Sequence, residues 1–317
     1  MRSSRYPQHC KMPVRVGVIG VGYLGIHHAR VYHELDEAEL VGVADLDASR
    51  AGEVAQKYST RAFNDYRDLL PLVDAVSLVT PTLSHRDIGL ECLRAGCDLL
   101  VEKPIATDLN EADELIGEAE RTDRILQVGH LERFNPVVIE AERLIKSPVF
   151  FESERLSPFL GRGTDVDVTL DLMIHDIDII LSLCHGRVSE VRAVGASVLS
   201  ENLDVSKAWI EMDNGIRALV TAGRLSPTKR RTLRVFQHTG FIHIDYQEME
   251  VRYHWRQPDG RIMHDVIRPE KTEPLKNEIR DFLRCVSTRS EPRVSGKDAR
   301  EALRVALEIS RRIKEEV

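Results

Sequence analysis

Cysteine is scarce: five residues among 317, odd in number and without a CxxC pair, which excludes a disulfide framework and a dithiol redox centre. Cys10, Cys92, Cys97, Cys184 and Cys285 read instead as reduced, mostly buried thiols, three of them inside apolar helical patterns. None is grouped with histidine at ligand spacing, so no metal site is expected. Long apolar runs are missing too, and the polar stretch Met1 to Met12 has no signal-peptide core, so the chain is expected in the cytoplasm with no membrane insertion. A basic excess is also lacking. Lys and Arg number 44 against 51 Asp and Glu, and a net charge of -7 is the opposite of the footprint a nucleic-acid binder needs.

What the chain does have is 42% hydrophobic residues in periodic segments along nearly its whole length, over more residues than one core usually serves. Two domains are expected. From Val14 to Val128 short β-branched runs (Val14–Gly20, Glu39–Ala44, Ala75–Val79, Asp98–Val101, Ile125–Val128) alternate with helical patterns, including one at 47–58 with Asp47 as its N-cap. That alternation predicts an α/β fold with a doubly wound parallel sheet of Rossmann type over residues 13–130. Beyond it come helices at 134–146 and 168–183. Then follow runs rich in Val, Ile and Phe joined by turns such as Asp213-Asn214-Gly215, the signature of an α+β domain (131–317) with a large open, mainly antiparallel sheet. An amphipathic helix at about 297–315 is expected to pack back on the first domain.

Three constellations carry chemistry. Gly20-Val21-Gly22-Tyr23-Leu24-Gly25 places GxGxxG between a strand and a helix, where backbone N–H groups and the helix dipole meet a pyrophosphate. Asp45 ends the next strand, placed to bond ribose hydroxyls and repel a 2′-phosphate, so the pair predicts a dinucleotide site preferring NAD. Glu102-Lys103-Pro104 follows a strand at the carboxyl edge of the sheet, where an ammonium can hold a reacting hydroxyl or steady an alkoxide. Asp171 and His175, four apart on a helix, share a face, so the carboxylate can orient an imidazole that shuttles a proton; a plain ion pair or metal half-site fits the same spacing.

With Val79-Thr80-Pro81-Thr82 and His85 added, these residues resemble the Gfo/Idh/MocA oxidoreductases, glucose-fructose oxidoreductase and inositol dehydrogenase among them, from about Val14 onward. The resemblance implies a catalytic Lys103 with Asp171 and His175, and a cofactor site built from Gly20, Gly22, Tyr23, Leu24, Gly25, Asp45, Thr80, Pro81, His85, Glu102 and Lys103. It also implies an open sheet used in homo-oligomerisation, as a homodimer or homotetramer. The segments Gly129–Pro136 and Arg162–Val168 are similar to those of members working on nucleotide sugars. That likeness implies oxidation of the 3-hydroxyl of UDP-N-acetylglucosamine to a ketone that an aminotransferase then takes up in lipid A synthesis.

The UDP-sugar's diphosphate is expected on Arg133, Arg155 or Arg162, with Asn135 in the same segment, whereas Lys229-Arg230-Arg231 with Arg234 reads as a solvated edge guard in a hairpin turn. Other readings keep the fold: a polyol or UDP-N-acetylglucosaminuronate dehydrogenase, or a redox sensor that holds NAD(H) without turnover. A sensor would need only the first domain, so Lys103, Asp171 and His175 argue against it.

Overall fold

The computed structural model describes residues 12–159, 161 and 166–315. The first sheet is built from β1 (Val14–Ile19), β2 (Ala38–Ala44), β3 (Arg61–Phe63), β4 (Ala75–Leu78), β5 (Asp98–Glu102) and β6 (Leu126–Gly129). Its order is β3-β2-β1-β4-β5-β6 and every pairing is parallel. Helices α1 (Gly25–Glu34), α2 (Ala48–Lys57), α3 (His85–Arg94) and α4 (Leu109–Thr122) cover both faces, which is why strands such as β4 are apolar at nearly every position. Asp47 caps α2 by accepting from the backbone N–H of Ser49 and Arg50, as its position predicts.

The second sheet comprises β7 (Pro148–Leu156), β8 (Val188–Ala196), β9 (Val205–Met212), β10 (Arg217–Gly223), β11 (Arg230–Gln237), β12 (Gly240–Asp245), β13 (Glu250–Arg256) and β14 (Ile262–Ile267). Their order is β14-β13-β12-β11-β7-β10-β9-β8, antiparallel except for the parallel β7–β10 pair. β13 and β14 escape sequence reading because they bury few aliphatic residues: β13 alternates Glu250, Arg252, His254 and Arg256 with Val251, Tyr253 and Trp255, and β14 is largely exposed. β11 lies between β12 and β7, so the expected edge guard is wrong: Arg231 and Arg234 belong to an interior strand.

α5 (Pro136–Leu144), α6 (Ile174–Cys184), α7 (Pro274–Thr288) and α8 (Gly296–Glu315) complete the chain. The segment before α6, expected to be continuous α-helix, is a π-turn at Thr169–Met173. α7 sends Ile279, Phe282 and Leu283 into the core shared by β1, α1 and α2. α8 has two apolar stripes. Ala299 and Leu303 enter the core beneath α3 and α4, while Ala302, Val305, Ala306, Ile309 and Ile313 enter the core of the second sheet. No helix among the described residues is long and apolar enough to cross a membrane.

Candidate active site

At the carboxyl edge of the first sheet lies a cleft of about 740 Å³ lined by Gly20, Gly22, Leu24, Asp45, Thr80, Pro81, Glu102 and Lys103. The three glycines have different reasons. Gly20 has φ +85°, and a Cβ there would meet the Val79 carbonyl oxygen at 2.6 Å; a Cβ on Gly25 would lie 1.8 Å from the Gly20 carbonyl oxygen. Nothing lies within 4 Å of a Cβ on Gly22, whose backbone is open to the cleft. Tyr23, between Gly22 and Leu24, does not line the cleft and is largely exposed, its ring edge-on to His27. Asp45 accepts from the N–H of Val21 and of Asp47, both at 2.9 Å, so the glycine turn itself holds the carboxylate against the cleft. An open glycine backbone at a helix start and an anchored carboxylate one strand away fit an adenine dinucleotide.

His85, expected among the cofactor contacts, is buried, its Nδ1 3.0 Å from the Pro104 carbonyl oxygen and its Nε2 2.8 Å from that of Thr80. It braces the loop after β4 against the loop after β5, and burial lowers its pKa. Thr80 is held further by the Ser84 hydroxyl, which donates to its Oγ1 at 2.8 Å.

Behind Lys103 runs a polar chain that sequence reading did not single out. Glu102 Oε1 lies 3.1 Å from His28 Nε2, His28 Nδ1 is 3.2 Å from the Ser77 hydroxyl, and the Tyr32 hydroxyl is 2.8 Å from the same Ser77 oxygen. The available signal was His28 and Tyr32 at a four-residue spacing on a helix face that is otherwise apolar. Burial pushes the Glu102 carboxyl up, but His28 and Lys103 together bring it below its ordinary value. Lys103 Nζ donates to the Asp171 carbonyl oxygen at 2.9 Å and lies 3.6 Å from its carboxylate. Burial lowers the ammonium pKa, and Asp171 and Glu102 oppose that shift.

The structure brings Lys103, Asp171 and His175 together, though not as the spacing predicts. No hydrogen bond joins Asp171 to His175 among the described residues; the π-turn between them takes up an extra residue, so positions four apart no longer stack. Asp171 serves Lys103 instead. The His175 Nδ1 is buried without a hydrogen-bond partner, and the ring of His130 meets it edge-on with centroids 6.4 Å apart. Burial, then Lys103, Arg155, His130 and Arg231, hold His175 well below the ordinary histidine range, so the imidazole is neutral and has room for a proton.

The expected diphosphate partners are committed elsewhere. Arg155 is buried and donates to both oxygens of Asp176, at 3.0 and 2.9 Å, and to Glu132 at 2.9 Å. Arg133 donates to the Arg293 carbonyl oxygen at 2.9 Å and lies 3.9 Å from Asp178. Asn135 caps α5, accepting from the Val137 N–H and donating to Glu132. These three brace the scaffold because each found a buried carboxylate, carbonyl or helix end that sequence spacing could not show. Arg162 lies outside the described residues.

Two family models match, an oxidoreductase family with an NAD-binding Rossmann fold over residues 14–130 and a Gfo/Idh/MocA C-terminal domain over 137–243. The UDP-N-acetylglucosamine 3-dehydrogenase of Acidithiobacillus ferrooxidans is 35% identical over 93% of this chain and 96% of its own. The chain belongs to the Gfo/Idh/MocA oxidoreductase family. A solved structure of that relative superposes with a TM-score of 0.92, covering 96% of this chain and 99% of the other. The scyllo-inositol 2-dehydrogenase (NAD(+)) of Bacillus subtilis is 31% identical over 68% of each chain. The myo-inositol 2-dehydrogenase of Lactobacillus plantarum, at 21% identity, shares the fold with a TM-score of 0.83 over 96% of this chain and 98% of its own. As a Gfo/Idh/MocA member the chain is an oxidoreductase, and its cofactor is NAD.

Proposed function

We propose that this Gfo/Idh/MocA enzyme oxidises the 3-hydroxyl of UDP-N-acetylglucosamine to the 3-keto sugar. The observation that carries the reading is end-to-end similarity, in sequence and in fold, to a UDP-N-acetylglucosamine 3-dehydrogenase, whereas inositol dehydrogenases of 31–34% identity match only 52–68% of the chain. Gly20, Gly22, Leu24, Gly25, Asp45, Thr80, Pro81, Glu102 and Lys103 would hold NAD, with His85 fixing two of their loops. When bound, NAD supplies a hydride acceptor.

His175, neutral and lacking a partner at Nδ1, takes the proton of the sugar hydroxyl. Lys103, aimed by the Asp171 carbonyl and carboxylate, steadies the alkoxide as charge develops on that oxygen. The Glu102–His28–Ser77–Tyr32 chain keeps the lysine loop in register with α1. A 3-keto sugar is open to transamination, which supports an aminotransferase as the next enzyme; the reading further takes the setting as lipid A synthesis in the cytoplasm and the enzyme as a homodimer or homotetramer.

The test is absorbance at 340 nm with NAD and UDP-N-acetylglucosamine, against free N-acetylglucosamine and inositol, with an aminotransferase and glutamate to remove ketone. NADH formed from the UDP-sugar alone, and lost in Lys103→Ala and His175→Ala, is expected. NADH formed from inositol alone would replace this substrate with a polyol.

A further inference from the structure

The substrate proposed above carries a diphosphate, yet the arginines expected to meet it are tied up in the scaffold. A different arginine stands in their place. Arg231 on β11 is the cross-strand partner of Arg155 on β7, and it shares the face of buried Leu233 and Val235, the one covered by helices. Its neighbours Arg230 and Arg234 point the other way and pair with Glu154 and Glu152, each at 3.1 Å. The nearest carboxylate to Arg231 is Glu132 at 3.9 Å, which already accepts from Arg155 and Asn135. The guanidinium therefore sits beside a buried cation with no hydrogen-bonded anion of its own among the described residues.

The charge balance of this corner is positive. Arg155, Arg231 and Lys229 face Asp176 and Glu132, and Arg155 already binds both oxygens of Asp176 and one of Glu132, whose other oxygen takes Asn135. Burial lowers the Arg231 pKa and Arg155 lowers it further, while Asp171, Asp176 and Glu132 counter this. Lys229 is lowered first by Arg231 and then by burial. The same field reaches the reacting centre, since Arg231 is one of the positive groups that depress His175. Arg231 is only partly offset by the carboxylates around it and forms no hydrogen bond to any of them, so a bound anion would lower the cost of holding it within electrostatic range of the imidazole.

We infer that Arg231, flanked by Lys229, forms the subsite that takes the diphosphate of the nucleotide sugar. The planar guanidinium can grip two phosphate oxygens at once while the lysine contributes a point charge. In a pyranose whose 3-hydroxyl lies at His175 and Lys103, the diphosphate hangs from C1, two ring atoms away, and Arg231 lies within electrostatic reach of His175 and Asp171. The anion also restores basicity to His175 by offsetting the positive groups around it, so binding of the correct substrate prepares the proton acceptor. An uncharged polyol brings no such anion, which makes Arg231 a determinant of substrate class. This rests on the nucleotide-sugar reading.

The test uses the NAD-loaded enzyme and three probes, UDP, inorganic pyrophosphate and uridine, measured by calorimetry and as inhibitors of turnover. Arg231→Gln should weaken UDP and pyrophosphate binding by roughly 10-fold or more, the scale of a lost charge-assisted phosphate contact. It should leave NAD affinity alone and raise KM for the UDP-sugar more than it lowers kcat. Arg231→Lys, which keeps the charge and loses the fork, should fall between, and Arg230→Gln on the opposite face should match the parent. Unchanged UDP affinity in Arg231→Gln, or uridine binding as tightly as UDP in the parent, overturns the subsite. If UDP binds through Arg231 but UDP-N-acetylglucosamine is not oxidised, the subsite stands and the sugar assignment falls. If the sugar is oxidised with KM unchanged in Arg231→Gln, the reverse holds, and a parent that binds neither UDP nor pyrophosphate loses both.

Discussion

Replacing Arg155 by alanine separates a structural from a ligand-binding arginine. In the folded protein its guanidinium neutralises Asp176, whose side chain is 1% exposed, and Glu132, at 14%, through three hydrogen bonds of 2.9–3.0 Å. Removing it strands two carboxylates away from water. Breaking a buried pair in this way costs about 3–5 kcal/mol, because the charge left behind is uncompensated. At about 2 °C per kcal/mol for a chain of this size, the melting temperature should fall by roughly 6–10 °C. Differential scanning calorimetry reads this directly, and NAD binding should survive at temperatures where the variant is folded. The triple change Arg155→Met, Asp176→Leu and Glu132→Gln should recover most of the loss, since an apolar replacement of a buried ion group is often neutral or stabilising. An Arg155→Ala variant with an unchanged melting temperature and a raised KM for a UDP-sugar would refute the reasoning and return Arg155 to the ligand.

Three further outcomes follow from the same geometry. Gly22→Ala should melt with the parent yet lose NAD affinity in a fluorescence titration, while Gly25→Ala, whose Cβ would sit 1.8 Å from the Gly20 carbonyl oxygen, should be destabilised by at least about 1–3 kcal/mol; equal stability of the two would contradict the separate roles given to them. Asp45→Asn should lower NADH affinity by about 10- to 100-fold, the range for a hydrogen bond to a charged group, with NADPH affected less, and equal losses for both cofactors would count against ribose recognition. Because the folded His175 pKa is depressed, its neutral form persists as pH falls through about 6.5, the unperturbed value, and kcat/KM should begin to drop only below that. The same shift makes stability fall with acidity from about pH 6.5 down, since the unfolded imidazole takes up its proton first. An activity limb centred above pH 6.5 in the parent, or a limb of the same pKa surviving in His175→Gln, would assign the titration to another group.

The first sheet was legible because strands covered on both faces must be apolar throughout, so Ala75–Leu78 and Asp98–Glu102 announce themselves without alternation. Glycines and Asp45 were legible because each fills a role few other residues can. Partnership was not. Whether Arg155 or Arg231 faces a ligand depends on which carboxylates arrive from α6 and the loop before α5, and those contacts join residues 21 to 23 apart or more. The π-turn escaped because Asp171 and His175 suit an α-helix equally well, and the choice lies in tertiary packing around Thr169 and Ser310, whose hydroxyls meet. His28 and Ser77 are isolated polar residues in apolar elements, and only the fold brings His28 to Glu102 with Ser77 behind it.

The placement of α7 and α8 bears on how the chain reaches this fold as it is made. Each of the three cores is finished by residues beyond 278: one by Ile279, Phe282 and Leu283, another by Val294, Ala299 and Leu303, the third by residues from Ala302 to Ile313. The Rossmann half, although synthesised first, emerges from the ribosome with apolar strand and helix faces still bare. It must wait for about 150 to 175 further residues before they are covered, which favours a late, concerted closure over one domain folding before the next.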